Sequence, residues 1–258
     1  MLTLIKQESV MKKLFTRNEF ENHLVESGKK LANDEGLQQK ALDVLIDADK
    51  HNWIHQTKWF GEPILNLPQD LFAVQEIIFQ TRPDYIIEIG VAWGGSLLFY
   101  STLMEVLGGE KIIGVDIYVP EDLKARIVAH GNLSQRIELI VGSSLEQSTL
   151  EKIRLTIGDS RKVMVILDSF HSHGHVLAEL NNYAGFVGNG YYLVVCDTIV
   201  EHLPEQKHRP RPWGPGNNPK TALGEFLKTN SRFELDEKIN NKLLFTCNPG
   251  GYMRAIRD

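Results

Sequence analysis

A doubly wound, Rossmann-like α/β sheet is the fold this chain predicts, on three observations. Apolar runs with strand character alternate with intervals of helical spacing along the middle of the chain. The run Ile86-Ile87-Glu88-Ile89 ends in a glycine-rich turn, Gly90-Val91-Ala92-Trp93-Gly94-Gly95-Ser96. A second run, Ile112-Ile113-Gly114-Val115, ends in an acid, Asp116. A length of 258 residues fits one large domain with additions.

Residues 1–55 are charged and mixed, and apolar residues at helical spacing over 18–25 and 38–46 predict a helical N-terminal extension of one to three helices. It reads as a packing or dimerising arm, with a cap over a substrate pocket as the alternative. The domain proper is expected over 56–258. Trp53, Trp59, Phe60, Pro63 and Pro68 mark 51–70 as loop. A helix capped by Asp70 should follow, with Leu71, Val74, Ile77 and Ile78 on one face and Pro83 as its stop. Strands are expected at 85–89, 111–116, 136–141, 163–168 and 191–196, with helices near 96–107, 120–131, 146–158 and 174–187. The alternation implies a parallel sheet. Residues 202–218 hold four prolines, two glycines and Trp213, and read as a long loop that could serve as a lid. Arg209, Arg211 and Trp213 in it could meet a phosphate-bearing or sugar acceptor. A helix near 219–229 and extended chain at 243–247 and 252–256 complete the pattern.

The net charge of −5 and pI near 6.0 give no global pull toward nucleic acid or anionic lipid. Two cysteines, Cys196 and Cys247, make no disulfide framework, and a reducing cytoplasm is expected. No apolar run reaches membrane-spanning length, and the N-terminus is too polar for a signal peptide.

Gly90, Gly94 and Gly95 allow a sharp turn and close approach to a ligand, and Ser96 can cap the helix that follows. The spacing is not the Gly-x-Gly-x-x-Gly that seats a pyrophosphate. Glu88, just ahead of the turn, suits an ammonium or hydroxyl rather than a diphosphate. S-adenosylmethionine has an ammonium, a carboxylate and no phosphate. Asp116 is placed for the ribose hydroxyls, and Ser143 and Ser144 for the adenine. At the ends of the fourth and fifth strands, Asp168 and Asp197 should share one crevice. Two carboxylates there ask for a hard cation such as Mg²⁺, which could also activate a hydroxyl. His171 is the candidate general base. His171, His175 and Glu179 recur every four residues and could instead form a zinc site. A role for His175 and Glu179 in orienting loops or substrate is preferred, and His173 is expected to be exposed.

These residues resemble the cephalosporin hydroxylase family. The matching segments run from Trp59-Phe60-Gly61 to Asn248-Pro249-Gly250-Gly251-Tyr252. The specific part is Asp168-Ser169-x-His171 followed by His175-Val176 and Glu179-Leu180. Despite the name, the resemblance implies a class I S-adenosylmethionine-dependent methyltransferase fold, with a seven-stranded sheet whose last strand is antiparallel. It implies Mg²⁺-assisted O-methylation of a sugar, glycolipid or natural product, a site similar to that of catechol-type methyltransferases, and a basic side chain at the position of His171. The chain departs from the family at Cys196-Asp197, where an acidic pair can stand. Cysteine is a poor Mg²⁺ ligand, so Thr198 or a water is left to complete the set with Asp168 and Asp197. The helical arm makes a homo-oligomer the expected assembly. A non-haem iron hydroxylase would need two histidines and a carboxylate on one face, and a non-catalytic scaffold would have no use for the glycine turn and both strand-end acids.

Overall fold

The computed structural model of the protein describes residues 16–258. Two helices come first: α1 (Arg17–Ala32), opened by a Thr16–Glu19 capping box, and α2 (Glu35–Asp49), capped by the Asp34 side chain. Any helix in residues 1–15 lies outside the described residues. Inside the stretch expected to be loop, the chain forms a small hairpin, β1 (Thr57–Trp59) and β2 (Glu62–Ile64), turned at Phe60-Gly61 with positive φ at both.

Helix α3 (Pro68–Thr81) leads into the alternating region: β3 (Tyr85–Ile89), α4 (Gly95–Leu107), β4 (Lys111–Asp116), α5 (Glu121–Ala129), β5 (Ile137–Val141), α6 (Gln147–Ile157), β6 (Val163–Leu167), α7 (His173–Tyr183) and β7 (Tyr192–Val195). The end of the chain adds α8 (Pro219–Thr229), β8 (Phe233–Leu235), the single-turn α9 (Glu237–Asn240) and β9 (Tyr252–Ala255). The main sheet runs β5-β4-β3-β6-β7-β9-β8. Its first five strands are parallel, and β9 is antiparallel to both neighbours. This is the seven-stranded sheet the resemblance implies.

The strands form because both of their faces are covered. All five residues of β6 are buried, the mark of a parallel strand between helix layers. Ile87, Ile113 and Val165 pack on one face and Ile86, Ile112 and Met164 on the other. The chain steps outward from β3 to β5 and then returns to β6 on the other side of β3. That reversal opens a crevice at the carboxyl ends of the central strands.

Beyond the hairpin, the structure differs from the sequence reading at three further places. Residues 243–247 are not extended; they bend so that Phe245 meets Trp53 edge-on at 6.1 Å and Cys247 packs with Leu45, Leu67 and Ile199. A strand at 233–235 was not expected, being only three residues long. Asp70 does not cap α3, whose cap position is Leu67. Asp70 lies buried in the first turn, where it accepts hydrogen bonds from the Thr246 hydroxyl, from Cys247 N at 2.8 Å and from Tyr252 OH at 2.8 Å. It thereby ties α3 to the turn before β9. Among the described residues no helix is long and apolar enough to cross a membrane.

Asp70→Ala should orphan three buried donors and cost about 3 kcal/mol or more. A urea-unfolding series would show the lowered midpoint; a loss under about 1 kcal/mol would mean that Asp70 is not the tie described.

Candidate active site

The crevice holds a cavity of about 710 Å³. Its floor comes from the ends of β3, β4, β5, β6 and β7 through Gly90, Asp116, Gly142, Asp168 and Asp197. Its walls come from Asn66 and Ser96, from His55 and Asp49 at the end of the helical arm, and from the 206–213 loop. The arm is thus part of the wall.

The glycine turn is shaped by protein contacts as much as by any ligand. Gly90 has φ +95°, and a Cβ there would lie 2.0 Å from the Asp168 carbonyl oxygen. A Cβ on Gly95 would lie 2.3 Å from Pro63 O, where β2 crosses the start of α4. Gly94 occupies the cap position of α4, and Ser96 does not cap it. Ser96 instead donates to Glu88 Oε2 at 2.8 Å while Tyr100 OH donates to Oε1 at 3.2 Å. Glu88 is fully buried behind the cavity wall and does not line it. Burial, opposed by Ser96 and reinforced by Asp168, pushes its carboxyl up to about 8. The hydroxyls it meets are the protein's own. Asp116 lines the cavity and also pins the turn, its Oδ2 accepting from Val91 N at 2.9 Å and its Oδ1 from Tyr118 N at 3.1 Å. Ser143 and Ser144 line the same end.

Asp168, His171 and Asp197 each offer a ligand atom, all within 4.8 Å of one another. His171 Nε2 lies 3.1 Å from Asp197 Oδ2, and Asn66 Nδ2 donates to Asp168 Oδ2 at 3.2 Å. Burial first and the facing Asp197 carboxylate second lift Asp168 to about 6. Asp197 takes a left-handed backbone, φ 54°, which a non-glycine residue adopts only when its surroundings hold it. The holder is Asn248, whose Oδ1 accepts from Asp197 N at 2.9 Å and whose Nδ2 donates to Tyr252 OH at 3.3 Å. Tyr252 in turn binds Asp70, so the buried tie behind the sheet sets the second acid of the site. The two carboxylates suit a hard divalent cation held by oxygen, with the His171 imidazole beside them. One histidine with two acids is not the two-histidine set of a non-haem iron hydroxylase.

Other expected residues fall differently. Thr198 is fully buried and its hydroxyl donates to Pro249 O at 3.0 Å, outside the cavity, so it is no metal ligand here. Cys196 is buried in the core and its thiol is pushed well up by burial, so it does not replace an acid. The proposed zinc face does not form: His171 precedes α7 and turns to Asp197, while His175 Nε2 lies 3.0 Å from Glu179 Oε1. Glu179 is a buried hub that also accepts from Ser144 Oγ and Ser169 Oγ, each at 2.6 Å. His173 is only partly exposed; its ring bridges Thr221 at 2.8 Å and Glu225 at 3.2 Å, joining α7 to α8. Asn66 and Asp49 escaped the sequence reading. Asp49 is the buried acid that receives Gln206 at 2.7 Å, His208 at 2.6 Å and the Arg209 guanidinium, holding the 202–218 loop to the arm. Its signal was present: Ala41, Leu45 and Asp49 form one buried stripe of α2, and an acid in such a stripe implies a buried partner.

A family model described as Rhamnosyl O-methyltransferase/CmcI matches residues 51–256. A rhamnosyl O-methyltransferase of Mycobacterium leprae (strain TN) is 32% identical over 178 residues, covering 66% of this chain and 74% of that protein. One of Mycobacterium tuberculosis (strain ATCC 25618 / H37Rv) is 28% identical over 218 residues, covering 81% and 84%. The structure of CmcI with Mg and SAM superposes with a TM-score of 0.54 at 19% identity, over 78% of this chain and 77% of that one, which shows the shared fold.

Two outcomes follow from the geometry. Gly90→Ala would force a Cβ into the Asp168 carbonyl at a positive φ and should destabilise the fold by about 2–4 kcal/mol, read as a drop in the denaturation midpoint; an unchanged midpoint would refute the close approach. Glu88 has a folded pKa of about 8 against 4.5 for the free side chain, so the native state binds the extra proton between those values. Stability should therefore fall as pH rises from 5 to 8. Glu88→Gln should flatten that slope, and an equal slope in both proteins would show that Glu88 is not the group responsible.

Proposed function

The chain belongs to the Rhamnosyl O-methyltransferase/CmcI family, and on that premise we propose that it transfers a methyl group from S-adenosylmethionine to a hydroxyl of a sugar-bearing acceptor. The observation that carries the reading is the position of Asp168. Its backbone abuts the glycine turn while its carboxylate faces Asp197 and His171 across the cavity. A donor seated on the turn and an acceptor seated on the acids would then meet at one residue. The mycobacterial relatives named rhamnosyl O-methyltransferases support a sugar hydroxyl as the acceptor.

The reaction needs the sulfonium methyl and the acceptor oxygen in line within about 3–3.5 Å, water kept out, and the hydroxyl proton removed. Asp116 and the Ser143-Ser144 end of the cavity supply acceptors and hydroxyls for a nucleoside. Asn66, Ser96 and Asp168 offer polar groups to the amino-acid end of the donor. Glu88, behind the wall, sets Ser96 through the hydrogen bond between them. His171, with Nε2 at 3.1 Å from Asp197, would take the acceptor proton. Asp168 and Asp197 would hold Mg²⁺, which when bound lowers the pKa of a ligated hydroxyl. The 206–213 loop, clamped to Asp49, lines the cavity and would cover the bound acceptor.

Asp168→Ala should reduce methyl transfer by about a hundredfold or more while leaving S-adenosylhomocysteine affinity within about tenfold, because it strips the acceptor side and one polar group of the donor's amino-acid end but leaves the nucleoside end intact. Turnover comparable to the unmodified protein, measured by S-adenosylhomocysteine release, would remove Asp168 from the chemistry.

A further inference from the structure

Residues 209–213 alternate Arg209, Arg211 and Trp213 with Pro210 and Pro212, and burial alternates with them. The arginines and the tryptophan are partly buried and the prolines are exposed. All five residues line the cavity that holds the acid pair, the arginines and the tryptophan being the more buried. These three side chains offer hydrogen-bond donors and no acceptor. The Trp213 indole N–H is buried without an acceptor. Its ring is fixed edge-on against Phe170 at 4.9 Å and His171 at 5.2 Å, so it stands beside the acids.

Four carboxylates, Asp49, Asp116, Asp168 and Asp197, and two guanidiniums, Arg209 and Arg211, line the cavity. Arg209 pairs with Asp49. Asp168 and Asp197 face His171 and each other. Arg211 lies over the Trp213 ring at 5.7 Å, and among the described residues no carboxylate, carbonyl or hydroxyl bonds its guanidinium. Burial and the charge of Arg209 work against its protonated form, and the Asp197 and Asp49 carboxylates only partly offset them. A partly desolvated guanidinium whose N–H groups meet no acceptor is costly, and a bound carboxylate or phosphate would supply the charge-assisted hydrogen bonds it lacks.

We propose that the acceptor carries an anionic group, a carboxylate or a phosphate ester, which Arg211 binds beside the Trp213 N–H while the hydroxyl to be methylated faces Asp168 and Asp197. This inference rests on the methyl-transfer reading above and adds the class of acceptor to it. The two anions share one chemistry, and the test separates them.

The test uses the full chain with Mg²⁺ and S-adenosylhomocysteine, titrated by calorimetry with rhamnose 1-phosphate, with glucuronate and with neutral methyl α-rhamnoside. At least one anionic sugar should bind about tenfold or more tighter than the neutral glycoside, and which one does so identifies the anion. Arg211→Gln should abolish that preference and Arg211→Lys should keep part of it, with S-adenosylhomocysteine affinity within about twofold in both. The proposal is overturned if neither anionic sugar outbinds the neutral one, or if the preference survives Arg211→Gln. It is also overturned if Arg211→Gln weakens S-adenosylhomocysteine instead, since Arg211 would then serve the donor's carboxylate. Failure of the unmodified protein to bind S-adenosylhomocysteine would fall on the methyl-transfer reading and not on Arg211.

Discussion

The site depends on one close approach, that of Gly90 to the backbone of Asp168. Asp168 N donates to Ile89 O at 2.8 Å, and Gly90 N donates to Val115 O at 2.8 Å, so three strands stay paired to their last residues. With no Cβ on Gly90, the Asp168 carbonyl moves in against the turn. The turn that faces one half of the cavity and the acid that faces the other are then one rigid unit. Loops placed independently would not hold two reacting groups to a fraction of an ångström.

Burial sorts the acids around this unit into different jobs. Glu88 sits behind the wall, bonded by Ser96 and Tyr100, and burial favours its neutral form. Asp70 is as deeply buried but accepts three hydrogen bonds, and through Tyr252 and Asn248 it holds Asp197 in a backbone conformation that would otherwise relax. Asp49 neutralises an arginine of the loop and so fixes the roof. Asp168 and Asp197 face each other and His171 in the cavity, and they are the pair we propose for the chemistry.

The period of the apolar runs made the sheet legible: all five expected strands form within one residue of their expected ends. The rule that ligands collect at strand ends placed Asp168 and Asp197 together. What stayed hidden depended on contacts between segments far apart in the chain. Whether Glu88 faces a ligand or the core is decided by hydroxyls on the next helix. Asp70 looks like a cap until Thr246, Cys247 and Tyr252 arrive from the other end of the chain. Thr198 follows a site acid in sequence, yet the turn at Asp197 sends it toward Pro249. The glycines were read as making room for a ligand, whereas a Cβ at Gly90 or Gly95 would strike the protein itself.

The most direct measurement is a crystal structure with S-adenosylhomocysteine and Mn²⁺, with the ion located by its anomalous signal. The account predicts one ion between Asp168 and Asp197, with the donor sulfur turned toward it across the Asp168 carboxylate. An ion bound elsewhere, or a nucleoside lying away from the Gly90 turn, would contradict it.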